Sequence, residues 1–331
     1  MIRWLHISDL HLGSSDLSTD ELRDELLKFL VEKGLRCDYV FCTGDIKTAG
    51  PDDKGYTDSM ATYLKAICKT VGIPTERLFI VPGNHDINRD AAGRDAAIRK
   101  MMFQRRGYYD PAKGIIERDD LAAIMEGEKP FVDFLKQIYP PERVAMYGDP
   151  DRPHFVIETD DFNILHVDTT VSYTKNQEFT DLIVGGHALY SEIRKLNKAK
   201  PTILITHYPF TSLLQDEKKQ LAILLKKNGI NLWLAGHEHD HVLQPVHYLD
   251  SMQAGELRYE NKANASFVVG EYNPKTGRGY AKVYAWFPEG WAPYPFVDLS
   301  NKHVDRYEFT LATVGNGGIS REALAERTAN E

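Results

Sequence analysis

Five short clusters of Asp, His and Asn occur between residues 9 and 239, and each one directly follows a run of apolar residues. Continuous apolar runs of this length are typical of strands buried on both faces in layered α/β proteins. In such proteins, functional side chains collect at the carboxyl ends of the strands. The clusters are therefore expected to meet in one crevice. They are Asp9-Leu10-His11, Gly44-Asp45, Gly83-Asn84-His85-Asp86, Thr206-His207 and Gly236-His237-Glu238-His239.

The residue types in these clusters predict a metal centre. Carboxylate oxygens together with imidazole nitrogens suit Mn, Fe, Zn or Ni better than Ca or Mg. The cysteines Cys37, Cys42 and Cys68 lie outside the clusters, so a thiolate zinc site is not expected. A single histidine of this kind is more often a core or surface residue than a ligand. All five clusters in this order favour a hydrolytic site with two metal ions.

The order of the clusters resembles the calcineurin-like metallophosphoesterases. Their pattern is Asp-x-His, Gly-Asp, Gly-Asn-His-Asp/Glu, His and Gly-His-x-His, and here it covers residues 1–90 and 155–270. The resemblance implies an α/β fold, a four-layer αββα sandwich of two packed mixed β-sheets flanked by helices. It also implies two divalent ions, with Mn²⁺ preferred and Fe, Zn or Ni as alternatives. The implied ligands are Asp9, His11 and His239 for the first ion, Asn84, His207 and His237 for the second, and Asp45 as the bridge.

The resemblance further implies a mechanism. A hydroxide that bridges the ions attacks phosphorus in line, and His85 protonates the leaving oxygen. The protein-phosphatase branch continues Gly-Asp with x-x-Asp-Arg-Gly, but here Thr48 and Ala49 replace the orienting Asp and the phosphate-gripping Arg. These departures argue against a Ser/Thr protein phosphatase and favour a phosphodiesterase. They also remove the usual residue that orients His85, and Asp86 is only a weak candidate to replace it.

Alternatives stay open at this stage. The fragment Trp4-Leu5-His6-Ile7-Ser8-Asp9-Leu10-His11-Leu12-Gly13 resembles both cyclic-nucleotide phosphodiesterases and DNA-repair nucleases, so a nucleotide or nucleic acid is a candidate substrate. A nuclease needs a positive groove, and the formal net charge of −8 does not supply one overall. A phosphomonoesterase is another alternative. An alternative of a different class is a partner-binding module with a weakly active site.

Four further residues are candidate substrate contacts. Arg89 follows the third cluster and His241 follows the fifth. Arg105 and Arg106 stand before Tyr108 and Tyr109, and basic residues beside aromatic ones can grip phosphates and stack bases. The competing interpretation of this segment is a solvated helix face with its aromatic rings packed inward.

The length of 331 residues suits one large domain, predicted over residues 1–314, with a polar tail or linker over residues 315–331. A helical insertion is predicted over residues 88–153, because this stretch is long for a connection between a strand and a helix. It directly follows the third cluster, so it is predicted to be a specificity cap beside the crevice. Candidate helices within it cover Ala91–Phe103 and Leu121–Ile138, the latter interrupted near Gly127 and Pro130.

Apolar periodicity predicts the elements around the clusters. Helices are expected over Ser18–Lys33 and Thr57–Val71, between cluster-bearing strands. The runs Phe155–Ile157 and Phe162–Leu165 predict an antiparallel pair of strands. The first strand is predicted to begin at residue 2, which leaves no room for a signal peptide, and no apolar run approaches the ~20 residues of a membrane span. A cytoplasmic protein with reduced thiols is therefore expected, and its oligomeric state is not predicted.

Overall fold

Two large β-sheets pack face to face, and helices cover both outer surfaces. The computed structural model describes residues 1–13, 17–49, 55–101, 109–110, 114–174, 181–258, 265–297, 303–311 and 313. Both sheets mix parallel and antiparallel pairs. The predicted four-layer αββα sandwich is therefore confirmed. The predicted tail over residues 315–331 lies outside the described residues.

Helices alternate with strands around the clusters, whereas the described elements from residue 242 to residue 310 are all strands. The helices are α1 (Leu17–Glu32), α2 (Asp58–Val71), α3 (Arg94–Arg99), α4 (Arg118–Met125), α5 (Lys129–Leu135), α6 (Pro141–Val144), α7 (Gly186–Ile193) and α8 (Gln215–Lys227). The strands are β1 (Ile2–Ile7), β2 (Tyr39–Cys42), β3 (Leu78–Ile80), β4 (Tyr109–Asp110), β5 (Ile115–Ile116), β6 (His154–Glu158), β7 (Asn163–Val167), β8 (Thr202–Ile205), β9 (Leu232–Ala235), β10 (Val242–Val246), β11 (Leu249–Gln253), β12 (Ser266–Asn273), β13 (Arg278–Phe287), β14 (Gly290–Tyr294), β15 (Phe296–Val297), β16 (His303–Val304) and β17 (Tyr307–Thr310).

The first sheet has the strand order β14-β13-β12-β1-β2-β3, and β17 also pairs with β13. Strands β1, β2 and β3 are parallel to one another, and they carry the first three clusters at their carboxyl ends. The other strands of this sheet pair in antiparallel fashion. Trp286 and Trp291 lie opposite each other in the β13–β14 hairpin.

The second sheet has the strand order β10-β11-β9-β8-β7-β6. Its central strands β7, β8, β9 and β11 are parallel, and β8 and β9 carry the last two clusters. The predicted antiparallel pair is confirmed as β6 and β7, with Phe155 opposite His166 in the register. In the described segments, clusters from both sheets therefore end at the same side of the sandwich.

Large aromatic and aliphatic side chains fill the space between the sheets. Trp4 is fully buried there, and its ring meets Phe41 and Phe162 edge-on at centroid distances of 6.3 Å. Ile205 and Leu234 contribute from the second sheet. Because strand side chains alternate between faces, this packing fixes the register of each strand and so the height at which each cluster leaves its strand.

Amphipathic helices cover the outer faces. Helices α1 and α2 bury Leu26 and Leu64 against the first sheet, close to the predicted helix bounds. Helix α2 is capped at its C-terminus by Gly72, whose φ of 85° is the left-handed conformation that glycine adopts most readily. Helices α7 and α8 bury Leu189 and Leu225 against the second sheet. None of the helices in the described ranges combines the length and apolar character that a membrane crossing needs.

The predicted insertion divides into two parts that pack in different places. Helices α3 and α4 form a small core with Val171, Ile183 and Leu214 beside the second sheet. A short 3₁₀ turn, Glu126–Glu128, separates α4 from α5, near the interruption predicted at Gly127. Helices α5 and α6 instead join the core of the first sheet. The role of the insertion as a specificity cap stays a prediction. Only the part with α3 and α4 is a candidate for this role.

The part with α5 and α6 covers the outermost strand of the first sheet. Tyr139 donates its hydroxyl hydrogen bond to the carbonyl of Leu78 at 2.9 Å, and Tyr147 donates to the carbonyl of Ile80 at 3.0 Å. Both acceptors belong to β3, at the end of the strand order. An uncovered edge strand would offer its backbone groups to other chains, so the tyrosines close this edge.

We predict that Tyr147→Phe lowers the free energy of unfolding by about 1–3 kcal/mol, because it removes the buried donor that faces the Ile80 carbonyl. Urea denaturation followed by circular dichroism measures this change. Tyr190→Phe is the matched control, since Tyr190 is 45% exposed on α7. Equal stability of the Tyr147→Phe variant and the wild type would show that the edge does not need this bond.

Candidate metal centre

The carboxyl ends of five strands bring together all seven predicted ligands and His85. Strands β1, β2 and β3 contribute from the first sheet, and β8 and β9 contribute from the second. The convergence follows from parallel pairing, because parallel strands end at a common edge of their sheet. The side chains brought together are Asp9, His11, Asp45, Asn84, His85, His207, His237 and His239.

The first predicted ligand group has the spacing of a metal site. Asp9, His11, Asp45 and His239 each offer a ligand atom, and these atoms lie within 4.8 Å of one another. The Nε2 atoms of His11 and His239 are 3.3 Å apart, and His239 Nε2 is 3.5 Å from Asp9 Oδ1. Ligands about 2.1 Å from one ion lie roughly 3.0–3.4 Å from each other in tetrahedral or octahedral geometry. The distances of 3.3 and 3.5 Å are close to that range, whereas His11 Nε2 and Asp9 Oδ1 are farther apart, at 3.9 Å.

The second predicted group converges in the same way. Asn84 Oδ1 lies 3.0 Å from His207 Nε2 and 3.1 Å from His237 Nδ1, and these two ring nitrogens are 3.3 Å apart. Asp45 Oδ2 is 3.5 Å from His207 Nε2. Asp45 is therefore close to both groups, which is the position that a bridging carboxylate needs.

Backbone strain is concentrated at the predicted ligands. Among the described residues, six that are not glycine have positive φ angles, and only His247 of these is not a predicted ligand. Such conformations cost free energy and persist only where the surrounding structure holds them. The five strained ligands are Asp9 (51°), His11 (44°), Asp45 (51°), His237 (74°) and His239 (58°).

Two cluster glycines are required by close approach. A Cβ atom on Gly83 would lie 2.1 Å from Asp45 Oδ1, and one on Gly236 would lie 1.8 Å from Ser8 Oγ and 2.5 Å from Asp9 Oδ2. Contacts of this length are impossible, so any larger residue would displace a ligand carboxylate. The glycines of the third and fifth clusters thus make room for the carboxylates of the first and second.

The two ligand carboxylates have oxygens that fit a bound cation. Asp9 Oδ1 and Asp45 Oδ2 are buried, and neither has a hydrogen-bond donor in the part of the chain that the structure describes. Their other oxygens accept backbone hydrogen bonds, from His237 N at 2.9 Å and from His85 N at 2.8 Å. A buried carboxylate oxygen without a donor is costly unless a cation is bound to it. The donor set therefore fits a divalent metal ion.

Electrostatics within the cluster separates the ligands into charged and neutral groups. Burial works against ionisation of Asp45, but the charges of His207 and His85 outweigh it and hold the pKa of Asp45 well below its usual range. Burial raises the pKa of Asp9 to about 7, against the opposing charge of His207. Burial lowers the pKa of His237 to about 2. A neutral imidazole is the form that binds a metal ion.

The backbone orients one histidine ligand. His207 Nδ1 lies 2.7 Å from the carbonyl oxygen of Thr43, which only accepts hydrogen bonds. Against the effect of burial, the charge of Asp45 raises the pKa of His207 to about 9. In the neutral ring that metal binding requires, the proton sits on Nδ1, and the Nε2 lone pair faces Asn84 and Asp45. This is the usual way in which a neighbouring carbonyl fixes the tautomer of a metal-binding histidine.

His85 faces the cluster without the partner that the sequence suggested. Its Nε2 is 3.9 Å from Asp45 Oδ2, and its buried Nδ1 has no hydrogen-bond partner within the described segments. Asp86 instead accepts bonds from the backbone of Ile46 and Gly83 and from the hydroxyl of Tyr56. The suggestion that Asp86 orients His85 was therefore wrong, because the Asp86 carboxylate stabilises the turn that carries Asn84 and His85.

An open cleft of about 530 Å³ lies over the cluster. Tyr173, from a loop, and Ser212, from the short 3₁₀ turn Phe210–Ser212, line it. The sequence analysis missed both, because neither belongs to a periodic pattern. Glu238 also lines the cleft, between two predicted ligands in the chain. The complete lining is Asp45, Asn84, His85, Tyr173, Ser212, His237, Glu238 and His239.

The candidate substrate contacts are placed differently from one another. Arg89 Nη1 lies 3.4 Å from the Tyr173 hydroxyl, at the wall of the cleft. His241 is not part of the cleft lining, and its ring packs edge-on against Tyr294 at a centroid distance of 4.3 Å. Arg105 and Arg106 lie outside the described residues. Contacts of all four with substrate stay predictions.

Glu256 is a further residue that the sequence analysis missed. Its Oε2 lies 3.3 Å from His239 Nδ1, and its side chain is 1% exposed. The residue follows β11, a strand that was not predicted because its sequence Leu249-Asp-Ser-Met-Gln253 mixes polar and apolar residues. The pair Gly255-Glu256 is separated from that strand by one residue, as Gly44-Asp45 is from β2, and this similarity was the local indication of its role.

The family model for calcineurin-like phosphoesterases matches residues 2–241. This range contains all five clusters and most of the chain, so the chain belongs to this family. A curated relative, the metallophosphoesterase-like protein YydB of Bacillus subtilis, is 28% identical over 302 residues. That alignment covers 87% of this chain and 60% of the relative, so the chain spans about three fifths of the relative's length.

Two solved structures are similar over most of the chain. One is GAP50, the anchor in the inner membrane complex of Plasmodium, with 10% identity and a TM-score of 0.45, covering 99% of this chain and 94% of that one. The other is the phosphoesterase Yfce of E. coli, with 10% identity and a TM-score of 0.36, covering 94% of this chain and 100% of that one.

We predict that Asp45→Asn loses more bound metal than any other single ligand substitution, because Asp45 is close to both ligand groups. After incubation with Mn²⁺ and desalting, elemental analysis should give at most one ion per chain for this variant. Asp133→Asn, an exposed carboxylate on α5, is the matched control. Two ions retained in the Asp45→Asn variant would rule out the bridging assignment.

Proposed function

We propose that this protein is a dinuclear metal-dependent hydrolase of phosphodiesters. The position of Asp45 between two ligand groups at the base of an open cleft carries this proposal. Two ions that share a carboxylate would acidify the attacking solvent and neutralise the phosphoryl oxygens. Mn²⁺ is the first metal to test, and Fe, Zn or Ni are alternatives. A cytoplasmic location is part of the same proposal.

The chain's own residues supply the remaining parts of the reaction. His85 lies at the cleft beside Asp45, where its Nε2 can give a proton to the leaving oxygen. Burial lowers the pKa of His85, so proton donation depends on the negative charge that substrate brings into the cleft. Arg89, held near the Tyr173 hydroxyl, is placed to bind a non-bridging phosphate oxygen.

A diester is favoured over a monoester by the charge around the cleft. A phosphomonoester carries up to two negative charges, and Thr48 and Ala49 stand where the phosphatase branch places its Asp and its phosphate-gripping Arg. A diester carries one negative charge, so fewer positive side chains are needed in the cleft to neutralise it. Glu238 in the cleft wall and the neighbouring Asp240 would also repel additional phosphates. A small diester, such as one built on a nucleotide, therefore fits better than a long nucleic acid.

We predict that His85→Ala slows an alkyl or nucleotide diester by about 10²–10⁴-fold, the range typical of general acid catalysis. It should slow a bis-nitrophenyl diester much less, because nitrophenolate leaves without a proton. Steady-state rates on both substrates and metal content by elemental analysis test this. His187→Ala, at the start of α7, is the control. Equal losses on both substrates, with metal content unchanged, would mean that His85 positions the phosphate instead.

We predict that Arg89→Gln raises KM for phosphodiesters and leaves kcat within a few-fold of the wild type, because the residue is proposed to bind a phosphate oxygen that keeps its charge throughout the reaction. Arg99→Gln on the exposed face of α3 is the matched control, since Arg99 pairs with Asp95 within its own helix. An unchanged KM in the Arg89→Gln variant would remove Arg89 from the substrate site.

A further inference from the structure

Glu256 is a buried carboxylate beside the metal-binding cluster that belongs to none of the five sequence clusters. It stands three residues beyond β11 and is almost fully buried, at 1% exposure. Its Oε2 contacts His239 Nδ1 at 3.3 Å. The other nitrogen of the same ring, Nε2, faces Asp9 Oδ1 at 3.5 Å and His11 Nε2 at 3.3 Å. One imidazole thus connects Glu256 to the first ligand group.

This contact has the distance of an ion pair but not the alignment of a hydrogen bond, and it places the carboxylate at Nδ1, on the other side of the ring from the nitrogen that faces the ligands. An ionised carboxylate has no proton to donate, so a neutral imidazole beside it places its proton on Nδ1. The lone pair is then on Nε2, which faces the other ligands of the first group. Without Glu256, His239 could place its proton on either nitrogen, and only one of the two tautomers would bind the ion.

The backbone around Glu256 is held to both sheets. The backbone N–H of Leu257 donates to the carbonyl of Asp9 at 3.0 Å, so the segment is attached to the loop of another ligand. The backbone N–H of Ser266 donates to the carbonyl of Glu256 at 3.3 Å, and Gly255 N donates to Ser266 Oγ at 3.2 Å. The carboxylate is therefore presented by a fixed segment that also supports Asp9.

Glu256 also makes the two ligand groups unequal in charge. The first group has Asp9 and the nearby carboxylate of Glu256, whereas the second group has the neutral Asn84 together with two histidines. Asp45 is close to both. Arg258 Nε lies 3.8 Å from Glu256 Oε2 and offsets part of this negative charge. The negative charge of Glu256 would therefore act more strongly on an ion in the first group than on an ion in the second.

We propose that Glu256 is a positioning residue that fixes the tautomer of His239 and strengthens binding of the ion held by Asp9, His11 and His239. This inference rests on the proposed dinuclear centre. It adds a residue from outside the five clusters to the metal centre, and the affinity for the first ion then depends on that residue. Groups that orient metal-binding histidines in this way contribute about 10–100-fold to metal affinity.

The test is calorimetric titration of the metal-depleted full chain with Mn²⁺, for the wild type and for Glu256→Gln. The amide keeps the size of the side chain but removes its charge. We expect one of the two binding events to weaken by about 10–100-fold and the other to change little. Glu271→Gln, which breaks an ion pair with Arg3 on the far side of the first sheet, is the matched control. Equal thermal stability of the metal-depleted variants shows that folding is unchanged.

A second measurement keeps the proposal testable if Glu256→Gln folds poorly. In the Zn²⁺-loaded wild type, the Nδ1–H proton of His239 should give a slowly exchanging downfield resonance in nuclear magnetic resonance spectra. Glu256→Asp, which keeps the charge but shortens the side chain, should accelerate its exchange. Unchanged affinity for both ions in Glu256→Gln, or unchanged exchange in Glu256→Asp, would overturn the role of Glu256. A wild type that binds no ion would overturn the proposed metal centre itself.

Discussion

The buried carboxylate of Asp45 is the interaction on which the arrangement of the site depends. It lies between two groups of ligands, and one of its oxygens has no donor among the described residues. A carboxylate in that position is costly without a cation. Two further features hold it there. Asp45 has a positive φ, which costs free energy, and position 83 must be glycine because there is no room for a side chain. These features have a common physical explanation if divalent ions offset the buried charge.

The distance between the ligand groups depends on how the two sheets pack. Asp9 and Asp45 come from the first sheet, whereas His207 and His237 come from the second. The interlayer core, which includes the buried ring of Trp4, packs one sheet against the other. A core substitution that shifts the sheets by a fraction of an ångström would therefore change ligand spacing without altering any ligand. Metal affinity and fold stability are coupled in this architecture for that reason.

The ligands could be predicted from the sequence because each follows its own strand closely, so a short local pattern contains both the strand and the side chain. Residues whose role arises only from tertiary contacts could not be found in this way. Glu256 follows a strand with a mixed pattern, and Tyr173 lies in a loop. Tyr139 and Tyr147 cover the edge strand β3, from which they are more than 60 positions away in the chain. The insertion was predicted by its length and helical patterns, but its division between two packing sites depends on contacts that no local pattern encodes.

That division also indicates which part of the insertion can influence substrate choice. Arg94 on α3 is almost fully buried, and its guanidinium donates to the carbonyls of Tyr173 at 2.6 Å and Thr170 at 2.8 Å. Tyr173 in turn lines the cleft and contacts Arg89. The part with α3 and α4 is thus attached to the cleft wall, while the part with α5 and α6 is committed to the core of the first sheet. Sequence changes in α3 and α4 can therefore alter the wall that faces substrate and leave both ligand groups in place.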